Sequence, residues 1–420
     1  MTAFAETVTA PTPTHSDETR LRWSLAVGTD YRDAPSVPAV YGDSIIVMSK
    51  RSLLKINTRD GTVAARADMT KRSSYGSMPV LCADGKAFCP LEDGTVEAFE
   101  LETMQRLWSF SDTLGGQALS PITYSGGFVY TGFWNDEELE ADFVCINAAS
   151  GEKAWSFTHT GGFYWAGALA LGDYIIVGSD NGSIETDEQS TLYLFDAKSG
   201  TVLDELSVTG DCRSGITLVP DTNELVFTTK AGYFCKTAVQ NGAFTSLETL
   251  KLTGASTSTP SVHNGRAYIG VQASGFSGFV QIIDISAMTV LYSLEAKGYP
   301  QCEMLISTAY EAETGNTYIY TTYNSPPGGI TVITDNANGT PSVSELYIPK
   351  GNAAAYCISG IAAGSGGELY YKNDSGMLFA LEYGQAEEEP TKEPTVFERL
   401  SGIFKSILRA IILFFEGIFG

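Results

Sequence analysis

Few residues of this 420-residue chain have the type and spacing that catalysis or metal binding requires. The three histidines, His15, His159 and His263, include no pair at metal-ligand spacing. No serine, cysteine, histidine and aspartate set typical of nucleophilic catalysis is visible. We interpret the three histidines as surface or turn residues, and we predict no catalytic residue and no metal site.

The cysteines and one acidic segment are the other candidates for reactive groups. Seven cysteines, an odd number, contain no C-x-x-C motif and no adjacent pair. Most lie in or beside apolar strand patterns, which favours buried thiols that pack as small hydrophobic groups. The acidic segment 180–188 has oxygen ligands suited to Ca²⁺ but not the spacing of an EF-hand loop, so it is interpreted as a solvated acidic loop.

Charge and hydropathy exclude two function classes. Asp+Glu 49 against Lys+Arg 26 gives a net charge of -23, so no basic surface is expected to bind nucleic acid. No run of 18 uncharged apolar residues predicts a membrane-spanning helix. Ala3-Phe4-Ala5 has the small-x-small pattern of a signal-peptidase site. We therefore expect an exported, cell-surface or membrane-associated protein whose export signal precedes Met1, with a cytosolic tail as the alternative.

An internal repeat is the strongest signal in the sequence. Each unit has four short strand patterns with period-2 alternation and turns at Gly, Asp or Asn. A period of this length with four strands predicts the blades of a β-propeller. The first-turn markers lie 42 to 51 residues apart, at Gly42, Gly85, Gly127, Gly172, Asn223, Gly265, Asn316 and Gly366.

The repeat predicts an all-β fold with eight blades over residues 21–384. The last unit ends at Tyr383 without a fourth strand, whereas Leu21–Leu25 has a fourth-strand pattern that no other unit uses. We expect the N-terminal strand to complete the last blade, which removes exposed sheet edges. Residues 1–20 are predicted to be a disordered tail.

Aromatic residues recur on the predicted outer strands. The turn Asn147–Gly151 is followed by Trp155 four residues after its glycine. A ring of such aromatics is expected to dock each blade against its neighbour, with ligand stacking as the alternative role. The predicted docking residues are Trp23, Trp108, Trp155 and Tyr292.

This turn and outer tryptophan resemble the PQQ-like β-propeller repeat, whose superfamily includes quinoprotein alcohol dehydrogenases and the propeller lipoprotein of the outer-membrane assembly machine. The resemblance is specific around Asn147–Trp155 and degenerate from the fifth unit onward. The dehydrogenases of this superfamily hold their quinone against adjacent cysteines and use Ca²⁺. This chain has no adjacent cysteines. The resemblance therefore implies the fold, and no cofactor is expected, including pyrroloquinoline quinone (PQQ) with Ca²⁺.

Binding is better supported by the sequence than catalysis. In propellers, the loops that enter the innermost strands share one face with the loops between second and third strands. Aromatic and charged side chains on such a face suit a protein, peptide or glycan ligand. The candidates are Tyr31, Arg32, Asp33, Tyr75, Gln117, Trp134, Tyr164, Trp165, Arg213, Glu303 and Tyr356.

The C-terminal segment differs in character from the propeller. Residues 385–396 are acidic and contain proline, which predicts a flexible linker. Residues 397–420 have the periodicity of an amphipathic helix that can lie on a membrane surface, dock on the propeller or self-associate. The apolar stripe that would bind membrane or partner includes Phe404, Leu408, Ile411, Phe415 and Phe419.

The sequence thus predicts a non-catalytic binding or scaffolding propeller at the cell envelope. The alternative is an enzyme, either a degenerate quinoprotein dehydrogenase or a hydrolase or lyase that uses carboxylates on the loop-rich face. A third possibility is a structural protein that assembles through its C-terminal helix.

Overall fold

Strands dominate the part of the chain described by the computed structural model, which comprises residues 7–73, 78–135, 139–181, 189–275 and 277–384. In these residues the strands form eight antiparallel sheets, each built from consecutive strands except where the N-terminal strand joins the last sheet. The first strands of neighbouring sheets contact one another near the axis. This arrangement confirms the eight-bladed β-propeller that the repeat predicts.

The bounds of the strands follow the repeat units closely. We number the blades 1 to 8 along the chain and give the strands of each from the axis outward. Blade 1 contains Ala39–Tyr41, Ser44–Ser49, Ser52–Asn57 and Val63–Asp68. Blade 2 contains Leu81–Ala83, Lys86–Leu91, Thr95–Glu100 and Arg106–Ser111. Blade 3 contains Thr123–Ser125, Phe128–Gly132, Glu140–Asn147 and Lys153–Thr160. Blade 4 contains Leu169–Leu171, Tyr174–Gly178, Gln189–Asp196 and Val202–Thr209.

The second half is less regular. In blade 5 the strand Tyr233–Gln240 pairs with both Ala243–Phe244 and the short outer strand Glu248–Lys251. The inner strands of blade 5 are Thr217–Leu218 and Glu224–Thr229. Blade 6 contains Ser261–His263, Arg266–Gln272, Gly278–Asp284 and Thr289–Ala296. Blade 7 contains Leu305–Ser307, Asn316–Thr322, Ile330–Asn336 and Ser342–Tyr347. Blade 8 contains Ala362–Ala363, Leu369–Lys372 and Met377–Tyr383.

Helical structure in the described residues is confined to three single turns. An α-helix, Glu311–Thr314, lies in the turn between the first and second strands of blade 7. The other two are 3-10 helices, Ser16–Glu18 and Gly351–Ala353. None of the described helices is long and apolar enough to cross a membrane.

The N-terminal strand closes the ring as predicted. Thr19–Ala26 pairs antiparallel with Met377–Tyr383 and is the outermost strand of blade 8. It begins two residues earlier than the predicted Leu21. Closure between the two ends of the described chain leaves no blade without its fourth strand.

The core is divided into layers between successive blades. One cluster packs Phe88 and Val96 of blade 2 against Val129 and Val144 of blade 3. Seven further clusters join the remaining pairs of neighbours, including blades 8 and 1. This packing arises because the second and third strands are buried on both faces, whereas outer strands alternate between exposed and half-buried residues.

Outer aromatic residues bridge neighbouring blades at four of the eight junctions of the described ring. Trp108 of blade 2 donates its indole N–H to the Ala148 carbonyl of blade 3, at 3.1 Å. A Cβ added to Gly151 in that turn would lie 2.7 Å from the Trp108 ring, and its φ is +77°. The turn therefore needs glycine for its backbone and for the ring that packs on it. Trp23, Trp155 and Tyr292 donate in the same way to the carbonyls of Thr58, Ala197 and Gly339.

Residues 7–18 require a correction, because they are not the disordered tail that the sequence predicts. The amide of Val8 donates to the carbonyl of Ile306, in the innermost strand of blade 7, at 2.8 Å. Thr12 is fully buried, and its hydroxyl bonds Ser307 and Tyr320, each at 2.8 Å. The Thr/Pro-rich composition suggested disorder, but hydroxyl partners on blade 7 satisfy the polar groups of the segment.

The predicted linker and amphipathic helix, residues 385–420, lie outside the described residues. So do Met1–Glu6, which contain the possible signal-peptidase site.

Candidate functional site

Loops that enter the innermost strands and loops between second and third strands form one surface, which we call the loop face. The structure brings five of the predicted ligand-binding residues together on the blade 3 to blade 5 side of this face. Strand-like hydrogen bonds join Gln117 to Trp134, at 2.9 and 3.0 Å, and Trp134 continues to Gly162 by a further bridge. The five residues are Gln117, Trp134, Tyr164, Trp165 and Arg213.

Aromatic rings and one guanidinium group form the centre of this cluster. The rings of Trp134 and Tyr164 meet edge to face, with centroids 5.1 Å apart. The ring of Trp165 lies 5.1 Å from that of Tyr164. The guanidinium carbon of Arg213 stands 4.4 Å above the centre of the Tyr164 ring, a cation–π contact. These contacts fix the orientation of all four side chains.

Two buried carboxylates anchor Arg213 from behind. Asp180 is fully buried and accepts bonds from Nε and Nη2 of Arg213, the latter at 3.2 Å. Its Oδ1 also accepts the Trp134 indole N–H at 3.3 Å. Asp211 is 1% exposed and lies 3.5 Å from Nη2 of Arg213. The arginine is thereby held in one position by a buried bidentate pair.

Asp211 has an unusual environment for a carboxylate. Burial, followed by the nearby charge of Asp180, raises the pKa of Asp211 to about 6. The amide of Asn181 donates to Asp211 and favours the charged form, but it does not outweigh burial. Two carboxylates therefore compete for one guanidinium group at the base of the cluster.

Trp165 is held in a strained conformation. Its φ is +55°, in the left-handed region that bulky residues seldom adopt. Its indole nitrogen is buried without a hydrogen-bond partner among the described residues. Both features cost free energy, and such residues concentrate at functional sites.

Tyr31, Arg32 and Asp33 form a separate group on the loop that enters blade 1. Tyr31 is 53% exposed, and its hydroxyl accepts a bond from Arg32 at 3.0 Å. Asp33 forms ion pairs with Lys50 at 3.2 Å and Arg72 at 2.9 Å. These pairs join the loop of blade 1 to neighbouring turns.

Glu303 lies apart from both groups, on the axis. It lines a cavity of about 40 Å³ to which every blade contributes, and it also lines a cavity of about 440 Å³ beside the innermost strands. Glu303 is half-buried, and burial raises the pKa of its carboxyl group. The smaller space, which we call the axial cavity, has room for a few water molecules.

A larger opening lies beside the axis on the same face. This off-axis pocket has a volume of about 280 Å³ and is lined by loops of blades 4 to 7. It shares Trp165, Arg213, Thr257 and Gln301 with the axial cavity. The strained tryptophan thus lines both spaces.

The remaining predicted residues are not part of the cluster. Tyr356 is 41% exposed on the loop before blade 8, where its carbonyl accepts the Asp374 amide at 2.9 Å. Tyr75 lies outside the described residues.

Sequence analysis missed Asp180, Asp211 and Lys230. The sequence predicts a solvated loop at Asp180, yet the residue is buried, two positions after the second strand of blade 4, where it pairs with Arg213. The signal that could have identified the pair was the spacing of Asp211 and Arg213 in the loop before blade 5. Lys230, in the second-to-third turn of blade 5, lines the off-axis pocket.

All seven cysteines are free thiols, and five of them are buried. Burial raises the pKa of Cys82, Cys145, Cys212 and Cys357 to about 12. They pack as small hydrophobic groups at neutral pH, as the sequence predicts. In the described part of the chain, no three His, Cys, Asp or Glu side chains group closely enough to hold a metal ion.

Comparison with protein families gives one match. Residues 92–382 match the family of PQQ-type repeats described as outer membrane protein assembly factor BamB. This match covers well over half of the chain. No curated protein sequence matches this chain.

Several solved structures share the fold at low sequence identity. BamB from Moraxella catarrhalis is 15% identical with a TM-score of 0.59, over 87% of this chain and 98% of that one. Quinohemoprotein alcohol dehydrogenase from Comamonas testosteroni is 12% identical with a TM-score of 0.67, over 90% and 78%. The computationally designed Ika8 protein is 11% identical with a TM-score of 0.62, over 86% and 100%. At these identities the likeness establishes the fold alone.

Proposed function

Because the chain belongs to the PQQ-type repeat family of outer membrane protein assembly factor BamB, we propose that it is a non-catalytic binding or scaffolding protein. Its loop face holds a protein partner, and it acts after export, at the cell envelope. The family name supports both parts of this proposal, since it describes an assembly factor of a membrane of the envelope.

The observation that carries the proposal is the way the loop face is built. Trp134, Tyr164 and Arg213 are fixed by ring contacts and by the buried Asp180 rather than left as mobile side chains. Rigid aromatic and arginine side chains are the residues that contribute most to protein interfaces. Because they are already ordered, binding a partner costs less conformational entropy.

Two of the three carboxylates of this face favour binding over hydrolysis or elimination, because cations already engage them. Asp33 is engaged by Lys50 and Arg72, and Asp180 by Arg213. The enzyme alternative therefore rests on Glu303, which lines the cavity of about 440 Å³ beside the innermost strands as well as the axial cavity.

The chain's own residues argue against PQQ as a cofactor. The adjacent cysteines that the related dehydrogenases place against the quinone have no counterpart here. Titration of the full chain with PQQ and Ca²⁺ tests this point, and stoichiometric binding would support the dehydrogenase alternative.

Site-specific photocrosslinking in the producing cell tests the partner. A photoreactive amino acid at Tyr31 or Tyr356, both exposed on the loop face, should form a discrete adduct with one envelope protein. The matched controls are Leu203 and Val343, equally exposed on the outer strands of blades 4 and 7. Adducts at the outer strands as strong as those at the loop face would contradict the proposal.

The C-terminal segment is proposed to attach this propeller to a membrane surface or to a partner. Support comes from the apolar periodicity of residues 397–420, which include Phe404 and Phe415. Removal of residues 397–420 should release the protein from membranes or change its oligomeric state, as measured by membrane sedimentation and light scattering. If neither changes, this role of the segment is wrong.

A further inference from the structure

The off-axis pocket has a composition that the proposed protein partner does not explain. It is a space of about 280 Å³ among the loops of blades 4 to 7. Small-molecule pockets usually measure about 300 to 1,000 Å³. This pocket therefore has room for a single ring or side chain.

Aromatic rings form its walls. Tyr164 and Trp165 stand side by side with ring centroids 5.1 Å apart. Tyr299, on the blade 7 side, is 6% exposed and receives the Thr257 amide on its hydroxyl at 2.7 Å. All three rings are immobilised, so they offer fixed apolar surfaces to an occupant.

Hydrogen-bonding groups stand between these rings. The Asn324 amide nitrogen donates to Oε1 of Gln301 at 2.7 Å. This bond orients both amides and directs the Gln301 NH₂ group and the Asn324 carbonyl oxygen to other partners. Gln301 and Asn324 both line the pocket. An occupant thus meets donors and acceptors together.

The charges around the pocket are balanced. Arg213 and Lys230 line it, while Asp180 and Asp211 lie behind Arg213 and do not line it. Two cations and two carboxylates sum to zero. An anionic occupant would have to compete with the buried Asp180 for Arg213, and a cationic one would face both cations.

We propose that the off-axis pocket binds one neutral sugar ring of a glycan. A pyranose ring has a C–H face that packs on an aromatic ring and hydroxyl groups that both donate and accept hydrogen bonds. Trp165 and Tyr299 supply the aromatic surfaces, and Gln301 and Asn324 supply the donor and acceptor. The strained backbone of Trp165 keeps its ring beside the pocket and the axial cavity, both of which it lines.

Ligand-observed NMR and calorimetry on the full chain test this proposal. The probes are glucose, galactose, mannose, N-acetylglucosamine and di-N-acetylchitobiose. At least one should bind saturably, with magnetisation transferred to its ring C–H protons. Acetyl-tyrosine amide serves as a probe for a partner's side chain.

Three variants identify the site. Trp165→Ala and Gln301→Leu should each weaken sugar binding by about tenfold or more, because each removes one wall or one set of hydrogen bonds. Tyr383→Ala removes an exposed tyrosine at the end of the third strand of blade 8, outside the pocket, and should leave binding unchanged. Circular dichroism and melting curves establish that each variant is folded. Should Trp165→Ala fail to fold, Gln301→Leu alone decides the question.

Three outcomes overturn the proposal: no sugar binds in the millimolar range, sugar binding survives Gln301→Leu and Trp165→Ala, or only acetyl-tyrosine amide binds. The last would make the pocket an anchor for a protein side chain. None of these outcomes depends on the photocrosslinks, so failure of the sugar site and failure of the proposed protein partner are distinguishable.

Discussion

Trp108 and Trp165 show how differently the outer ring and the loop face use the same residue. Trp108 is 9% exposed, packs against Phe88 with ring centroids 5.9 Å apart, and donates its indole N–H to Ala148. Trp165 lines two cavities, has a positive φ and leaves its indole N–H without a partner among the described residues. One residue stabilises the fold, whereas the other is held in place by it.

This difference indicates which region is available for function. Every polar group of the outer docking contact is satisfied by the neighbouring blade. On the loop face, two carboxylates share one arginine and a tryptophan adopts a strained backbone. Proteins keep such costs where a binding surface requires them.

The largest effect should come from truncating the two tryptophans. We expect Trp108→Ala to lower the free energy of unfolding by roughly 3–5 kcal/mol, because it empties a buried site between blades 2 and 3. Trp165→Ala should lower the free energy of unfolding by only about 1–2 kcal/mol, because its ring borders cavities and the substitution removes only a half-buried contact. Denaturant unfolding measures both values. Equal costs would contradict the distinction between outer ring and loop face.

The next effect isolates the docking contact from backbone conformation. Gly151 and Gly42 both have positive φ, +77° and +55°. A Cβ on Gly151 would meet the Trp108 ring at 2.7 Å, whereas nothing lies within 4 Å of one on Gly42. Gly42→Ala should cost about 1 kcal/mol for the left-handed backbone. Gly151→Ala should cost about 1–3 kcal/mol more, because the ring must shift.

The melting temperatures of these two glycine variants provide the check. If Gly42→Ala proves as damaging as Gly151→Ala, the glycine serves the turn alone and the ring contact adds no measurable stability.

The same contrast explains which features the sequence could predict. Gly151 and Trp155 stand at a spacing that is set within one repeat, and similar pairs occur in other units. A single sequence therefore predicts the turn, the outer aromatic residue and the number of blades. The cluster around Arg213 joins Asp180, Tyr164 and Trp134 from three loops of different length, and repeat spacing carries no information about such contacts. Buried Thr12 was missed for the same reason, because its partners Ser307 and Tyr320 are about 300 residues away.

A smaller effect concerns the pH dependence of the acid pair. The pKa of Asp211 is about 6 in the folded chain, above its ordinary value of 3.8. The folded state therefore binds this proton more tightly, and the stability contributed by protonation is lost as the pH rises from about 4 to above 6. We expect Asp211→Asn to be more stable than the parent protein by roughly 1–2 kcal/mol at pH 7 and equally stable near pH 4.

Urea unfolding of both proteins at the two pH values tests this expectation. The difference between parent and variant removes the contributions of other titrating groups, such as Glu303. A variant that is less stable at pH 7 would show that Arg213 and the Asn181 amide more than offset the burial of Asp211.

The smallest expected effect comes from replacing each tryptophan with phenylalanine. This is also the sharpest test of the comparison, because it removes only the indole N–H group and the smaller ring of the indole. Trp108→Phe leaves the Ala148 carbonyl without its donor and should cost about 1–2 kcal/mol. Trp165→Phe removes a donor that has no partner among the described residues. Removal of this unsatisfied group offsets the loss of ring area, so the free energy of unfolding should change by no more than about 0.5 kcal/mol. Parallel denaturant titrations distinguish the two. If Trp165→Phe costs as much as Trp108→Phe, the Trp165 indole N–H is satisfied in solution, and the strain assigned to the loop face rests on its backbone alone.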